Sequence, residues 1–301
     1  MPLHILNGDA TRPEFEAAAI AGDILVWRDA LVEGPAPYPV LSEDWFAARE
    51  QFLIEEFEAP EEKVQQTHAE FRQLLALDDY EEVVLWFEFD LFCQINMLAV
   101  LSALKEHFQG QVSLVCPGDH AEIEDFRGLG QLSARHFGPL FEERVTLTPA
   151  ELVFADQVYQ AYTNHDPRLL KKIVENDIPA AFPHLQKALQ LHLERFPQVS
   201  NGLSREEEEV LQALDGGLPS RFKWVGKVLR NDAGRGYGDL QYFRLVERLA
   251  PLFEETDTSV RLGDKGQKVL AGKAHFQTPS RPIGGADSRT WFWEAGELVQ
   301  I

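Results

Sequence analysis

The chain has 301 residues, 45% of them apolar, and a formal net charge of −21. That apolar content supports a sizeable core and, at this length, predicts more than one domain, which excludes a disordered chain. The acidic balance excludes general affinity for a phosphate backbone, and no apolar run reaches membrane-spanning length.

The charge is unevenly placed. Residues 1–200 hold 14 Lys or Arg against 34 Asp or Glu, whereas 201–275 hold 12 of each. Nucleic acid contact is therefore confined to one candidate patch, Arg221, Lys223, Lys227, Arg230 and Arg235. Cys93 and Cys116 each sit in an apolar or strand-like run, so they are expected as buried thiols rather than as a disulfide or a zinc site. With no basic segment followed by an apolar core at its start, the sequence predicts a cytoplasmic protein with no membrane partner. A homo-oligomer is compatible with these features.

In chain order, Leu3 to Leu6 reads as a strand running into Asn7-Gly8-Asp9. Thr11 is placed as an N-cap with Glu14 three residues on, which predicts a short helix over about 13–19. A second strand, Ile24 to Trp27, runs into Arg28-Asp29. Three prolines between Glu33 and Pro39 then rule out a helix and predict a rigid loop. Helices follow over 43–56, capped by Ser42, and over 61–77. The run Val83 to Phe87 lacks clean alternation, as expected of a strand buried on both faces, and leads into Glu88-Phe89-Asp90. A helix over 91–108 and a fourth strand, Val112 to Cys116, complete this part, the strand ending before Pro117-Gly118-Asp119.

From residue 149 helices dominate up to 196, interrupted near 164–167 and at Pro179 and Pro183. Three further helices are predicted over 204–214, 221–229 and 240–249, followed by a strand from Ser259, a Gly-bounded turn and a helix. The C-terminal stretch, with Trp291-Phe292-Trp293, reads as short aromatic strands packing back onto the body. The resulting fold class is α/β: an open, mostly parallel sheet with covering helices over 1–145, a helical bridge over 146–200, a winged-helix-like domain over 201–275, and a tail over 276–301.

If the four strands are parallel neighbours, their carboxyl ends form one polar rim, the place where open α/β sheets bind ligands. Gly8 allows close backbone approach, and the helix that follows offers free N–H groups to an anion. Asn7, Gly8, Asp9, Arg28, Glu33, Asp90, Gln94 and Asp119 are the candidate binding residues. Asp29, Glu88 and His120 are the candidates for proton transfer. Competing roles are an N-cap for Asp90 and an ion pair with Asp29 or Glu33 for Arg28. Clustered carboxylates imply a shared proton or a hard cation, and no residue is singled out as a metal ligand.

Four segments carry a family resemblance: His4 to Asp9, Val26 to Asp29 through Glu33-Gly34-Pro35, Leu85 to Asp90 through Gln94, and Phe126 to Leu132. Over 1–145 the chain resembles a bacterial family known as domain-of-unknown-function family 1835, with a looser resemblance continuing through Arg195-Phe196-Pro197 and Asn201 to Ser204. Relatives have His where this chain has Phe89 and Val32. The resemblance implies no established reaction, but it implies one shared site at the rim. The expected function is binding of a small phosphorylated or nucleotide-like anion, with hydrolysis or group transfer as the activity such a site could add. The alternatives are a ligand-sensing regulator that binds DNA through its rear module and a non-catalytic interaction protein.

Overall fold

A computed structural model describes residues 1–232 and 234–301. The front of the chain forms β1 (Pro2–Asn7), α1 (Arg12–Ala17), β2 (Asp23–Trp27), α2 (Glu43–Phe57), α3 (Glu61–Phe71), β3 (Glu82–Trp86), α4 (Leu91–His107), β4 (Gln111–Val115), α5 (Ala134–Glu142) and β5 (Val145–Thr146). Apart from α5 and β5, which were not expected, these elements follow the expected strand and helix order, with the four main strands close to their expected bounds. The five strands make one sheet in the order β2-β1-β3-β4-β5. β1 pairs in parallel with both β2 and β3, and β3 with β4, while β5 closes the edge antiparallel to β4. The two residues of β5 make too short a pattern for the sequence to reveal.

Both faces of the sheet are covered, which explains why β3 lacks alternation. On one face Leu3, Ile5, Leu25, Trp27, Val83 and Leu85 join the main core. There Trp27 stacks on Phe71 with ring centroids 4.1 Å apart. On the other face Leu6, Val84 and Trp86 meet Phe15 of α1 and Phe137 of α5. Trp27 and Trp86 are thus core residues, as is His4, whose Nδ1 accepts from Trp86 Nε1 at 3.2 Å while Nε2 lies 3.2 Å from the Ala21 carbonyl. Ser42 caps α2 as expected, its side chain accepting from Trp45 N. Thr11 does not cap α1: its backbone is helical and its side chain makes no cap bond, and Glu14 instead accepts from Ala134 N.

The bridge consists of α6 (Pro149–Tyr162), α7 (Arg168–Val174) and α8 (Leu185–Leu193). α6 and α8 lie against α4, a helix buried almost throughout its length. The rear unit holds α9 (Arg205–Gln212), α10 (Arg221–Arg230), α11 (Asp239–Arg248), an antiparallel hairpin of β6 (Phe253–Thr256) and β7 (Ser259–Leu262), and α12 (Asp264–Leu270). An isolated bridge ties Leu218 to Val260. β8 (Pro282–Ile283) pairs with β9 (Ala286–Asp287), and β10 (Trp291–Glu294) with β11 (Glu297–Gln300). The aromatic tail contacts the segment 146–200, with Trp291 Nε1 donating to the His165 carbonyl and Trp293 bridging to Gln198. Among the described residues no helix is long and apolar enough to cross a membrane.

Candidate functional site

The strand order reverses direction between β1 and β3, so the switch point of the sheet lies where Asn7 and Glu88 leave it. Asn7 Nδ2 donates to Cys93 Sγ at 2.9 Å, and Asn7 Oδ1 accepts from Asn96 Nδ2 at 2.9 Å. The Cys93 thiol donates to Glu88 Oε2 at 3.2 Å, and Glu88 Oε1 accepts from Leu129 N at 3.2 Å. Gln94 Nε2 reaches the Glu88 carbonyl at 2.8 Å. Asp90 caps α4, accepting from Cys93 N at 2.8 Å. Expected and unexpected polar residues thus form one buried network at the switch point. Asn96 escapes sequence reasoning because its position inside an apolar helix reads as packing.

This network is sealed rather than open. The first N–H groups of α4, which would serve an anion, donate instead to carbonyls of the rear unit: Leu91 N to Gly234 at 2.9 Å and Phe92 N to Arg235 at 3.0 Å. Gly236 is pressed so close that a Cβ there would fall 2.1 Å from Asp90 Oδ1, a contact only glycine tolerates. Burial, with the Asp90 charge second, pushes the Glu88 carboxyl up to about 7. Burial likewise pushes Asp90 up to about 6, against the pull of the Cys93 N–H. The Cys93 thiol is raised well above its ordinary value by burial and then by both carboxyls, so it is no thiolate nucleophile.

The remaining rim residues do not join this cluster. Asp9 is exposed and accepts from Arg28 Nε at 2.8 Å, while Arg28 Nη1 donates to Glu70. Arg28 therefore pairs with Asp9 and Glu70, not with Asp29 or Glu33. The turn at Gly8 leads to α1, whose six residues are too few for an N-terminal anion site, and Asp9 O already accepts from Arg12 N at 3.2 Å. Asp29 is buried against Arg49, accepting from Nε at 3.1 Å and Nη2 at 2.5 Å, and its Oδ1 also takes the Ala30 N–H. That clamp makes Asp29 a structural residue rather than a proton acceptor at the rim. Asp119 is exposed at the end of β4, where its charge acts on His184. His120 lies beside His136, ring centroids 4.7 Å apart, and its Nδ1 accepts from Glu122 N at 3.3 Å. Among the described residues no three His, Cys, Asp or Glu side chains are arranged to hold a metal ion.

A cavity of about 580 Å³ lies elsewhere, between the front of the molecule and the rear unit. Glu33 and Gly34 of the loop after β2 and Phe52 and Glu56 of α2 form one wall; Arg244, Glu247 and Arg248 of α11 form another. Arg195, beyond α8, and Arg281, before β8, complete it. Among the described residues, the buried Nε–H groups of Arg195, Arg244, Arg248 and Arg281 make no hydrogen bond, although Arg195 Nε lies 3.8 Å from Glu206 Oε2. Their other contacts are uneven. Arg244 Nη2 donates to Glu56, Arg281 Nη2 to Glu206 at 3.0 Å, and Arg195 Nη1 to the Val32 carbonyl at 2.6 Å. Burial, then the nearby Arg281 charge, lowers the Arg248 guanidinium from its ordinary value. Glu33 is itself nine-tenths buried here, with Oε2 unpaired among the described residues. Four arginine side chains thus gather at one cavity, beside Glu33, Glu56 and Glu247 in its wall. The one signal in the sequence is the Arg244 to Arg248 spacing of four, which puts two like charges on one helix face at a cost that an anion would offset.

No protein family model matches the chain. A comparison with curated proteins finds a 134-residue segment 26% identical to a component of the mitochondrial glutamyl-tRNA(Gln) amidotransferase of Mycosarcoma maydis. The aligned part covers 40% of this chain and 21% of that protein, so the chain spans about a fifth of the length of this relative.

Proposed function

We propose that the protein binds a small phosphorylated anion in the arginine-lined cavity between its front and rear parts. The reading rests on one observation: four arginines, Arg195, Arg244, Arg248 and Arg281, line one cavity. A phosphate supplies several acceptor oxygens and a charge that bidentate guanidinium groups match. In a chain of net charge −21, such a gathering of arginines also sets the cavity apart from the general surface. The volume suits a ligand of sugar-phosphate or nucleotide size. No thiol or imidazole lines the cavity among the described residues, which favours binding over turnover.

The test is thermal unfolding in the presence of inorganic phosphate, pyrophosphate, ribose 5-phosphate and adenosine mono- and diphosphate. A ligand that binds only the native state raises the midpoint with its concentration. At least one phosphorylated compound is expected to do so for the wild type and to lose that effect with Arg248→Ala. An unchanged midpoint with every compound contradicts the proposal.

A second reading takes 201–275 as a winged-helix-like module that binds nucleic acid. Three helices and a hairpin in that order favour it. Against it, Arg221 pairs with Glu255, Lys227 Nζ donates to the Ala213 carbonyl, and Arg235 is buried against Glu206 and Glu209. The five basic residues of 221–235 thus make no continuous exposed face.

A further inference from the structure

An exposed face of the rear unit carries an apolar patch that the described residues leave uncovered. Phe222, in the first turn of α10, is 78% exposed, more than any other large apolar side chain among the described residues. Its ring meets Phe243 of α11 edge-on with centroids 5.1 Å apart, and Leu240, one turn before Phe243, is 46% exposed. The helices beneath are firmly seated, since Trp224 and Val228 of α10 and Tyr242 and Val246 of α11 are buried. An aromatic pair held in water on two packed helices differs from a single exposed apolar residue: it is a preformed contact surface.

The charges around the patch are divided by helix. Lys223 is exposed beside Phe222 on α10, whereas Asp239 and Glu247, one turn before and one turn after Phe243, are exposed on α11. The ion pairs that these helices make, Arg221 with Glu255 and Arg244 with Glu56, leave all three free among the described residues. A rim of one sign would fit a foreign partner of the other sign. A rim with a cation on one helix and carboxylates on the other fits itself, because a twofold axis through the aromatic pair lays α10 of one copy against α11 of the next. From this complementarity we infer that the partner of the patch is a second copy of this chain, in a twofold dimer. Phe222, Leu240 and Phe243 form its apolar centre, and Lys223 meets Asp239 and Glu247 of the partner subunit at its rim. The three apolar residues lie outside the arginine-lined cavity, so the dimer stands or falls apart from the anion reading.

The experiment is sedimentation equilibrium of the full chain over a range of concentrations. The wild type is expected to pass from monomer to dimer, and one that stays monomeric up to about 100 μM overturns the inference and leaves the patch to another partner. Phe222→Ser is expected to weaken dimerisation at least roughly tenfold, as for an aromatic side chain at the centre of an interface. A Phe222→Ser dimer of wild-type affinity would overturn the inference as well. Lys223→Glu and the double variant Asp239→Lys with Glu247→Lys are each expected to be monomeric, because like charges then face one another across the axis. Mixed in equal amounts, these two proteins are expected to form a dimer with one copy of each, since every facing pair is again opposite in sign. That recovery cannot come from misfolded chains, so it separates a broken contact from a broken fold. Variants that dimerise alone as tightly as the wild type, or a mixture that stays monomeric, would overturn the twofold arrangement.

Discussion

Arg244 on α11 donates to Glu56 at the end of α2, so the third helix of the rear unit turns a charged face toward the front of the molecule. In a winged-helix-like module that helix would enter a DNA groove, and here its Arg244 and Arg248 line the cavity between the front and rear of the molecule instead. The protein is therefore expected not to be retained on mixed DNA fragments even at low salt. Retention that falls with salt and weakens on Lys223→Ala or Arg230→Ala would show that the exposed basic residues of α10 suffice.

The sealed network at the switch point gives a pH signature. Glu88 sits at about 7 and Asp90 at about 6 in the folded chain, both above their ordinary values, so the native state holds protons that the unfolded chain releases. For carboxyls raised in this way stability is present while they are protonated and is lost as pH rises from about 4.5 through 7. Glu88→Gln removes the buried charge. Its stability advantage over wild type is expected to grow by on the order of 2 kcal/mol between about pH 4 and pH 8, as read from urea unfolding. An advantage that stays constant across that range would mean Glu88 ionises normally.

The Asp29 and Arg49 pair bears on the fold rather than on chemistry. Both side chains are fully buried, and Arg49 also donates to the carbonyls of Glu33 and Pro35 at 2.7 and 2.8 Å, pinning the proline-rich loop. Asp29→Ala leaves a buried guanidinium unpaired and is expected to cost about 3 to 5 kcal/mol of stability in denaturant unfolding. A loss below about 1 kcal/mol would mean that water reaches the pair.

The four main strands are legible in the sequence because each is a short apolar run ending at a polar turn, and parallel strands buried on both faces need no finer pattern. The caps at Ser42 and Asp90 are legible for the same local reason. Partners from distant segments are not. Nothing near Asp29 announces Arg49, and nothing near Arg28 announces Glu70, since both pairs are made by helices returning to the sheet. The rim reads as open because the loop that closes it, 234–236, is more than a hundred residues away in the chain. The cavity is hidden likewise: its four arginines come from three separate stretches, and Glu33 reads as part of the rim.

Calorimetry with ribose 5-phosphate on three proteins separates the two locations for an anion. Binding to the wild type is expected, unchanged with Arg28→Ala and weakened at least roughly tenfold with Arg248→Ala, as for a charged hydrogen-bond partner. Loss with Arg28→Ala and none with Arg248→Ala would return the site to the strand ends.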